Sequence, residues 1–224
     1  SYIIYIKHLK GAIQMIGDMQ TWTPNVAGII EHAREIHPKT EIISRLVSGE
    51  IHRSNYENVC IRARKLASAL EKDGIQNGDV VATLALNTYR HLEMYYGISG
   101  MGAVTHTLNF RLHPEQAVYI INHAEDKMIF VELPFVPILE ALQDNLKTVE
   151  KYIVLCEVDE MPKTSLKNAI SYEEYIEDGD ENYKWPNLAD DAACALCYTS
   201  GTTGNPKGVL YSHKSNITVS YTHR

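Results

Sequence analysis

Tyr198-Thr199-Ser200-Gly201-Thr202-Thr203-Gly204-Asn205-Pro206-Lys207-Gly208 places four aliphatic hydroxyls, three glycines and a lysine within eleven residues, directly after the apolar run Ala192-Ala193-Cys194-Ala195-Leu196-Cys197. Glycines let backbone N–H groups turn toward an anion with no Cβ in the way, hydroxyls donate further hydrogen bonds, and lysine supplies a full positive charge. A strand delivered into such a run makes a phosphate-gripping loop, the usual holder of a nucleotide. Spacing decides which kind. Gly201 and Lys207 stand at the Walker A interval, but Pro206 occupies the second glycine position and Gly208 the Ser/Thr position that holds magnesium. The loop is therefore not a Walker A loop, and its residue order is more specific than that of a polar Gly/Ser/Thr surface turn.

On either side of the loop, 192–198 reads as a buried strand feeding it and 208–213 as the strand that returns. Upstream the chain alternates strands and helices. Val26, Ile29, Ile30 and Ala33 recur at helical spacing over 26–36. Residues 41–46 and 50–53 form a hairpin around Ser48-Gly49, and Ser54-Asn55-Tyr56-Glu57 reads as a capping box opening a helix that Gly74 stops. The run 79–86 has the continuous apolar character of a strand buried on both faces of a parallel sheet. A helix over 91–100, a strand over 103–106, a helix opened by His113-Pro114-Glu115, strands over 127–132 and 152–157, and a helix over 135–146 continue the pattern. This is βαβ grammar, so the expected class is α/β, a mostly parallel sheet with flanking helices plus an N-terminal hairpin. No internal repeat is evident.

With 45% hydrophobic and 22% charged residues the composition is that of ordinary globular material, which argues against disorder. Twenty-one basic against 28 acidic residues give a net charge of −7, so no basic field is available for nucleic acid or anionic lipid, and any phosphate site must be local. No run approaches eighteen consecutive apolar residues, which argues against a membrane-spanning helix. Lys7 and Lys10 follow the opening apolar run instead of preceding it, the reverse of a secretory signal, and the expected compartment is the cytoplasm.

Three further clusters invite chemistry. Cys194 and Cys197 have metal or redox spacing, but no second such pair accompanies them and strand positions three apart face opposite sides, so the expectation is buried small hydrophobes. The acids Glu173, Glu174, Glu177, Asp178, Asp180 and Glu181, within a Pro- and Gly-interrupted connector over 158–191, lack metal-ligand spacing and read as a solvated connector with a short helix. Of ten histidines, His106, His123 and His213 stand out, and hydrogen-bonded structural roles are expected, with His213 the exception that could lie near an acyl site.

The order Thr-Ser-Gly-Thr-Thr-Gly-x-Pro-Lys-Gly resembles the signature loop of the adenylate-forming superfamily, which comprises acyl-CoA synthetases, luciferases and the adenylation domains of peptide synthetases. Gly102-Ala103-Val104-Thr105-His106-Thr107-Leu108-Asn109-Phe110-Arg111-Leu112, Ile120-Ile121-Asn122-His123-Ala124-Glu125-Asp126-Lys127 and Leu210-Tyr211-Ser212-His213-Lys214 resemble bacterial medium- and long-chain fatty acyl-CoA synthetases over residues 15 to about 220. Phe110 departs from that pattern, where a proline is expected.

The resemblance implies a two-step ligase. A carboxylate attacks the α-phosphorus of ATP to give an acyl-adenylate and pyrophosphate, and the thiol of coenzyme A then displaces AMP. It implies that Thr199, Ser200, Gly201, Thr202, Thr203, Gly204 and Lys207 bind the nucleotide phosphates, that Thr199 helps hold Mg²⁺, and that no catalytic residue proper lies in this chain. It implies a fatty acid as partner, with a thioether acid such as methylthiopropionate or an aryl acid as alternatives, and homodimerisation of the full-length protein; a non-catalytic dimerisation or nucleotide-binding role is the reading from another class. The expected organisation is a non-native leader over 1–14, a helical arm over 15–37 and an incomplete AMP-binding N-terminal domain over 38–224, the chain alone neither adenylating nor forming thioesters.

Overall fold

A computed structural model describes residues 7–9, 12–14, 23–109, 111–199 and 205–222. In chain order the elements are β1 (Lys7–Leu9), β2 (Ala12–Gln14), α1 (Val26–Ile36), β3 (Glu41–Arg45), β4 (Ile51–Asn55), α2 (Tyr56–Lys72), β5 (Val80–Leu84), α3 (Tyr89–Gly100), β6 (Val104–Thr107), α4 (Pro114–Ala124) and β7 (Met128–Val131). There follow α5 (Val136–Leu142), β8 (Lys151–Val154), β9 (Ala169–Ser171), α6 (Tyr172–Glu177), β10 (Ala193–Thr199), β11 (Lys207–Ser212) and α7 (His213–Thr222).

The apolar run containing β5 becomes the centre of a seven-stranded sheet in the order β11-β10-β6-β5-β7-β8-β9. Six of these strands are parallel and β11 alone is antiparallel, paired with β10. Alternation along β5 divides the core in two. Val81 packs with Phe130 and Ile153 under the α2, α3 and α6 residues Leu66, Leu70, Met94, Ile98 and Tyr172. Ala82 and Leu84 pack with Ile129, Val131 and Tyr152 under Ile120, Ile121 and Leu139 of α4 and α5. A strand buried on both faces needs no polar alternation, which is why β5 is apolar but for Thr83, whose hydroxyl meets His91 Nε2 at 3.2 Å.

The expected α/β architecture is present, with several local corrections. α2 is capped by Asn55, whose side chain accepts from the Asn58 N–H at 2.9 Å, one residue beyond the Ser54 expected from the capping-box pattern. Ser54 instead lies within the β3–β4 ladder, opposite Ile42. The helix expected over 135–146 is only Val136–Leu142, flanked by 3₁₀ turns at Leu133–Phe135 and Gln143–Asn145. The connector over 158–191 contains an unexpected strand, β9, at the parallel edge beyond β8.

The acids of that connector are not all solvated. Glu173 receives both terminal nitrogens of Arg62 at 2.9 Å and Nε of Arg90 at 2.9 Å. Glu93 of α3, fully buried, accepts from Arg62 Nε at 2.7 Å and from the Tyr172 hydroxyl at 2.9 Å. Glu157 takes the remaining Arg90 contact at 2.5 Å. Two guanidinium groups thus tie α2 and α3 to the connector. The excess carboxylate falls on the most buried member, and burial lifts the Glu93 carboxyl to about 7 against the opposing pull of Arg62. Burial also acts to raise Glu173, but Arg62 and Arg90 outweigh it and hold that carboxyl below its ordinary range.

Candidate nucleotide site

β10 runs parallel to β6 through Ala195↔Thr105 and Leu196↔His106, so it ends at Thr199 on the carboxyl edge of the sheet. β11 returns antiparallel from Lys207, in the register Thr199↔Lys207, Tyr198↔Gly208 and Cys197↔Val209. Thr199 and Lys207 are therefore cross-strand partners at the mouth of one hairpin, both exposed, and the Thr199 hydroxyl donates to the Lys207 carbonyl at 3.5 Å. The two residues bound the Gly/Ser/Thr-rich run at its two ends. Ser200, Gly201, Thr202, Thr203 and Gly204 lie outside the described residues, as does Phe110.

Ligands of open parallel sheets sit outside the carboxyl ends of the strands, by preference where the strand order reverses. Here that reversal lies between β5 and β7, and it is closed by protein: Glu132 Oε2 accepts from the Leu86 N–H at 3.2 Å and the Glu132 side chain is buried. The β10–β11 hairpin, two strands away from β5, ends on the same edge of the sheet.

Below the mouth stands a column of polar rings. His106 of β6 donates Nδ1–H to Asp126, 2.8 Å from Oδ2 and 3.0 Å from Oδ1, with both side chains fully buried. Its other ring nitrogen, Nε2, is buried with no hydrogen-bond partner among the described residues. The Tyr198 ring lies across His106 with centroids 5.2 Å apart, and the Tyr198 hydroxyl is 2.6 Å from His123 Nδ1. Burial and then the Asp126 charge raise the Tyr198 phenol above its ordinary value, so it remains protonated at neutral pH. The expectation of hydrogen-bonded histidines holds for both rings, but nothing in local spacing pairs His106 with an aspartate twenty residues on.

His213 stands elsewhere. It follows Ser212 at the far end of β11, a rise of about 20 Å from Lys207 at ~3.3 Å per strand residue. It is buried, its Nδ1 accepts from the Val26 N–H at 3.3 Å, and burial lowers its pKa. The ring anchors the first turn of α1.

All four cysteines are free: Cys194, buried as expected, contacts the Asn216 amide at 2.9 Å, whereas Cys197 is only half-buried and approaches the Thr107 hydroxyl at 3.5 Å, the two thiols taking different neighbours. Among the described residues no three His, Cys, Asp or Glu side chains could share a metal ion, and no helix is long and apolar enough to cross a membrane. Thr199 Oγ1 is a hard, exposed oxygen of the kind Mg²⁺ accepts when phosphates supply most of its ligands.

Comparison with known proteins adds three findings. The sequence model of the family described as AMP-binding enzyme matches residues 30–224. A medium-chain-fatty-acid–CoA ligase of Ectopseudomonas oleovorans is 45% identical over 208 residues, covering 93% of this chain and 38% of that protein. A 3-methylmercaptopropionyl-CoA ligase of Ruegeria lacuscaerulensis is 44% identical over 207 residues, covering 92% and 38%. The chain thus spans under two-fifths of the length of these relatives. Among solved structures, that of the anthranilate CoA ligase AuaEII in complex with anthranoyl-AMP superposes with a TM-score of 0.77 at 24% identity, over 88% of this chain and 36% of that one, which shows a shared fold.

Proposed function

The chain belongs to the AMP-binding enzyme family, and on that footing we propose that the protein carrying it is an ATP-dependent acid–CoA ligase acting on a medium- or long-chain fatty acid. The observation that carries the reading is the hairpin mouth, where Thr199 and Lys207 stand opposite each other at the two ends of Ser200-Gly201-Thr202-Thr203-Gly204. In this reading the hydroxyls of Thr199, Ser200, Thr202 and Thr203 and the N–H groups around Gly201 and Gly204 hold the β- and γ-phosphates. Lys207 offsets the charge that grows on departing pyrophosphate as a carboxylate oxygen attacks the α-phosphorus. Thr199 Oγ1 would help hold a Mg²⁺ ion, which would supply Lewis-acid neutralisation of phosphate charge. The thiol of coenzyme A then displaces AMP from the acyl-adenylate. The same reading makes the protein a cytoplasmic homodimer, which sedimentation of the whole protein and cell fractionation test.

A second reading has equal support from one observation. The relative that acts on 3-methylmercaptopropionate is 44% identical against 45% for the medium-chain relative, a difference too small to choose between a thioether acid and an alkyl chain. Pyrophosphate release by the whole protein, measured over a panel of alkyl, thioether and aryl acids with ATP and coenzyme A, tests both. The expected result is release that depends on acid and on enzyme, with kcat/KM for ATP falling about 100-fold in Lys207→Ala. Release that ignores the acid, or survives loss of Lys207 undiminished, overturns the assignment.

A further inference from the structure

The column under the hairpin mouth is built more expensively than packing requires. Asp126 and His106 are both fully buried, and a buried polar pair is often no more stabilising than apolar side chains of the same volume. What the pair adds is direction. It is sealed from solvent, so no substrate reaches it; its influence must pass through what lies on it, and that is Tyr198, the residue before Thr199.

Tyr198 is held on three sides. Its ring lies across His106. Its hydroxyl is 2.6 Å from His123 Nδ1, and the His123 ring meets the phenol edge-on at 5.8 Å while Tyr119 stacks on His123 at 5.3 Å. Its third side is Gly208, its cross-strand partner, where a Cβ would lie 3.2 Å from the phenol Cζ and 3.4 Å from its oxygen. One short segment supplies both polar anchors. α4 ends at Ala124, Glu125 turns through the left-handed region at φ 57°, and the chain thereby presents His123 to Tyr198 and Asp126 to His106.

We propose that Tyr198 is the positioning residue of the nucleotide loop, braced by His123 and seated on the buried His106–Asp126 pair and on Gly208, so that the C-terminus of α4 fixes where β10 releases Thr199. The inference rests on the reading of the loop as a phosphate site. Hydroxyls that must meet phosphate oxygens within a few tenths of an ångström need a strand end that does not sway.

The test uses the whole protein, with steady-state kinetics and equilibrium binding of a non-hydrolysable ATP analogue. Tyr198→Phe keeps the ring and removes only the bond to His123. It is expected to raise KM for ATP and the analogue's Kd about 5- to 10-fold, as loss of one orienting hydrogen bond does, with KM for the carboxylate and for coenzyme A unchanged. His123→Ala produces the same change, and the double variant is no worse than either single one. Replacing the pair together, His106→Phe with Asp126→Leu, leaves the melting temperature within a few degrees while weakening ATP to the same degree, a separation that a purely structural role does not produce. A wild-type protein that fails to bind the analogue overturns the loop reading and the brace with it. A wild type that binds, with variants that match it, overturns the brace alone; so does a uniform rise in all three KM values accompanied by a fall in melting temperature.

Discussion

Two glycines separate what a local pattern reveals from what it hides. Gly49 has φ +89° and open space around its Cβ position, and it closes the β3–β4 hairpin that Ser48-Gly49 announces. Gly179 follows the turn that ends α6, but what forbids a side chain there is a distant segment: a Cβ would collide with the backbone carbonyl of Lys65, inside α2, which cannot yield without bending that helix. Gly49→Ala is expected to cost about 1 kcal/mol, the strain of a left-handed alanine. Gly179→Ala is expected to cost about 3 kcal/mol, an overpacking penalty against rigid backbone. Urea unfolding of the two variants checks this, and equal losses would mean that the connector lifts off α2 without resistance. The first position was legible because its reason lies within four residues of chain. The second was not, because its neighbour lies more than a hundred residues away.

The helices are tied by charge as well as by apolar faces. Arg62 of α2 bridges Glu93 of α3 and Glu173 of α6, and Arg62→Ala, which strands a fully buried carboxylate, is expected to cost about 3–5 kcal/mol. Glu93 predicts a pH dependence whose sign can be worked out. Its folded pKa, about 7, lies above its ordinary 4.5, so between those values the folded state holds a proton that the unfolded state has lost. Stability from this group is therefore present below pH ~4.5 and is lost as pH rises toward ~7. Glu173, depressed in the folded state, acts in the opposite sense, its contribution being lost as pH falls through its ordinary range. Glu93→Gln is expected to remove the decline between pH ~4.5 and ~7, on the order of 1–3 kcal/mol. Parallel stability curves for wild type and variant across that window would refute the assignment. Composition marked the acids of this connector as a solvated run, and that failed for Glu173. Arginines that neutralise a carboxylate from α2 and α3 leave no trace in the carboxylate's own neighbourhood of sequence.

The sheet has one edge that its sequence does not advertise. Among the described residues β11 pairs with β10 only, and Val209, Leu210 and Tyr211 are 40%, 62% and 43% exposed. An apolar edge strand with an unpaired ladder is a template for further pairing. Leu210→Lys is expected to suppress self-association of the 224-residue chain, read by light scattering against concentration, without lowering its melting temperature by more than about 1–2 °C, since a mostly exposed side chain contributes little to stability. Most of the order of elements, with β9 the exception, and the central buried strand were determined by local sequence, because apolar period and caps act over a few residues. Tertiary structure alone decided that Thr199 faces Lys207, that Tyr198 rests on His106 and Asp126, that His213 clasps α1 a strand's length from the mouth, and that Glu173 sits between two arginines. Each of these depends on register and on close approach between distant segments, and such contacts arise only when burial of the two core faces forces the strands into one sheet.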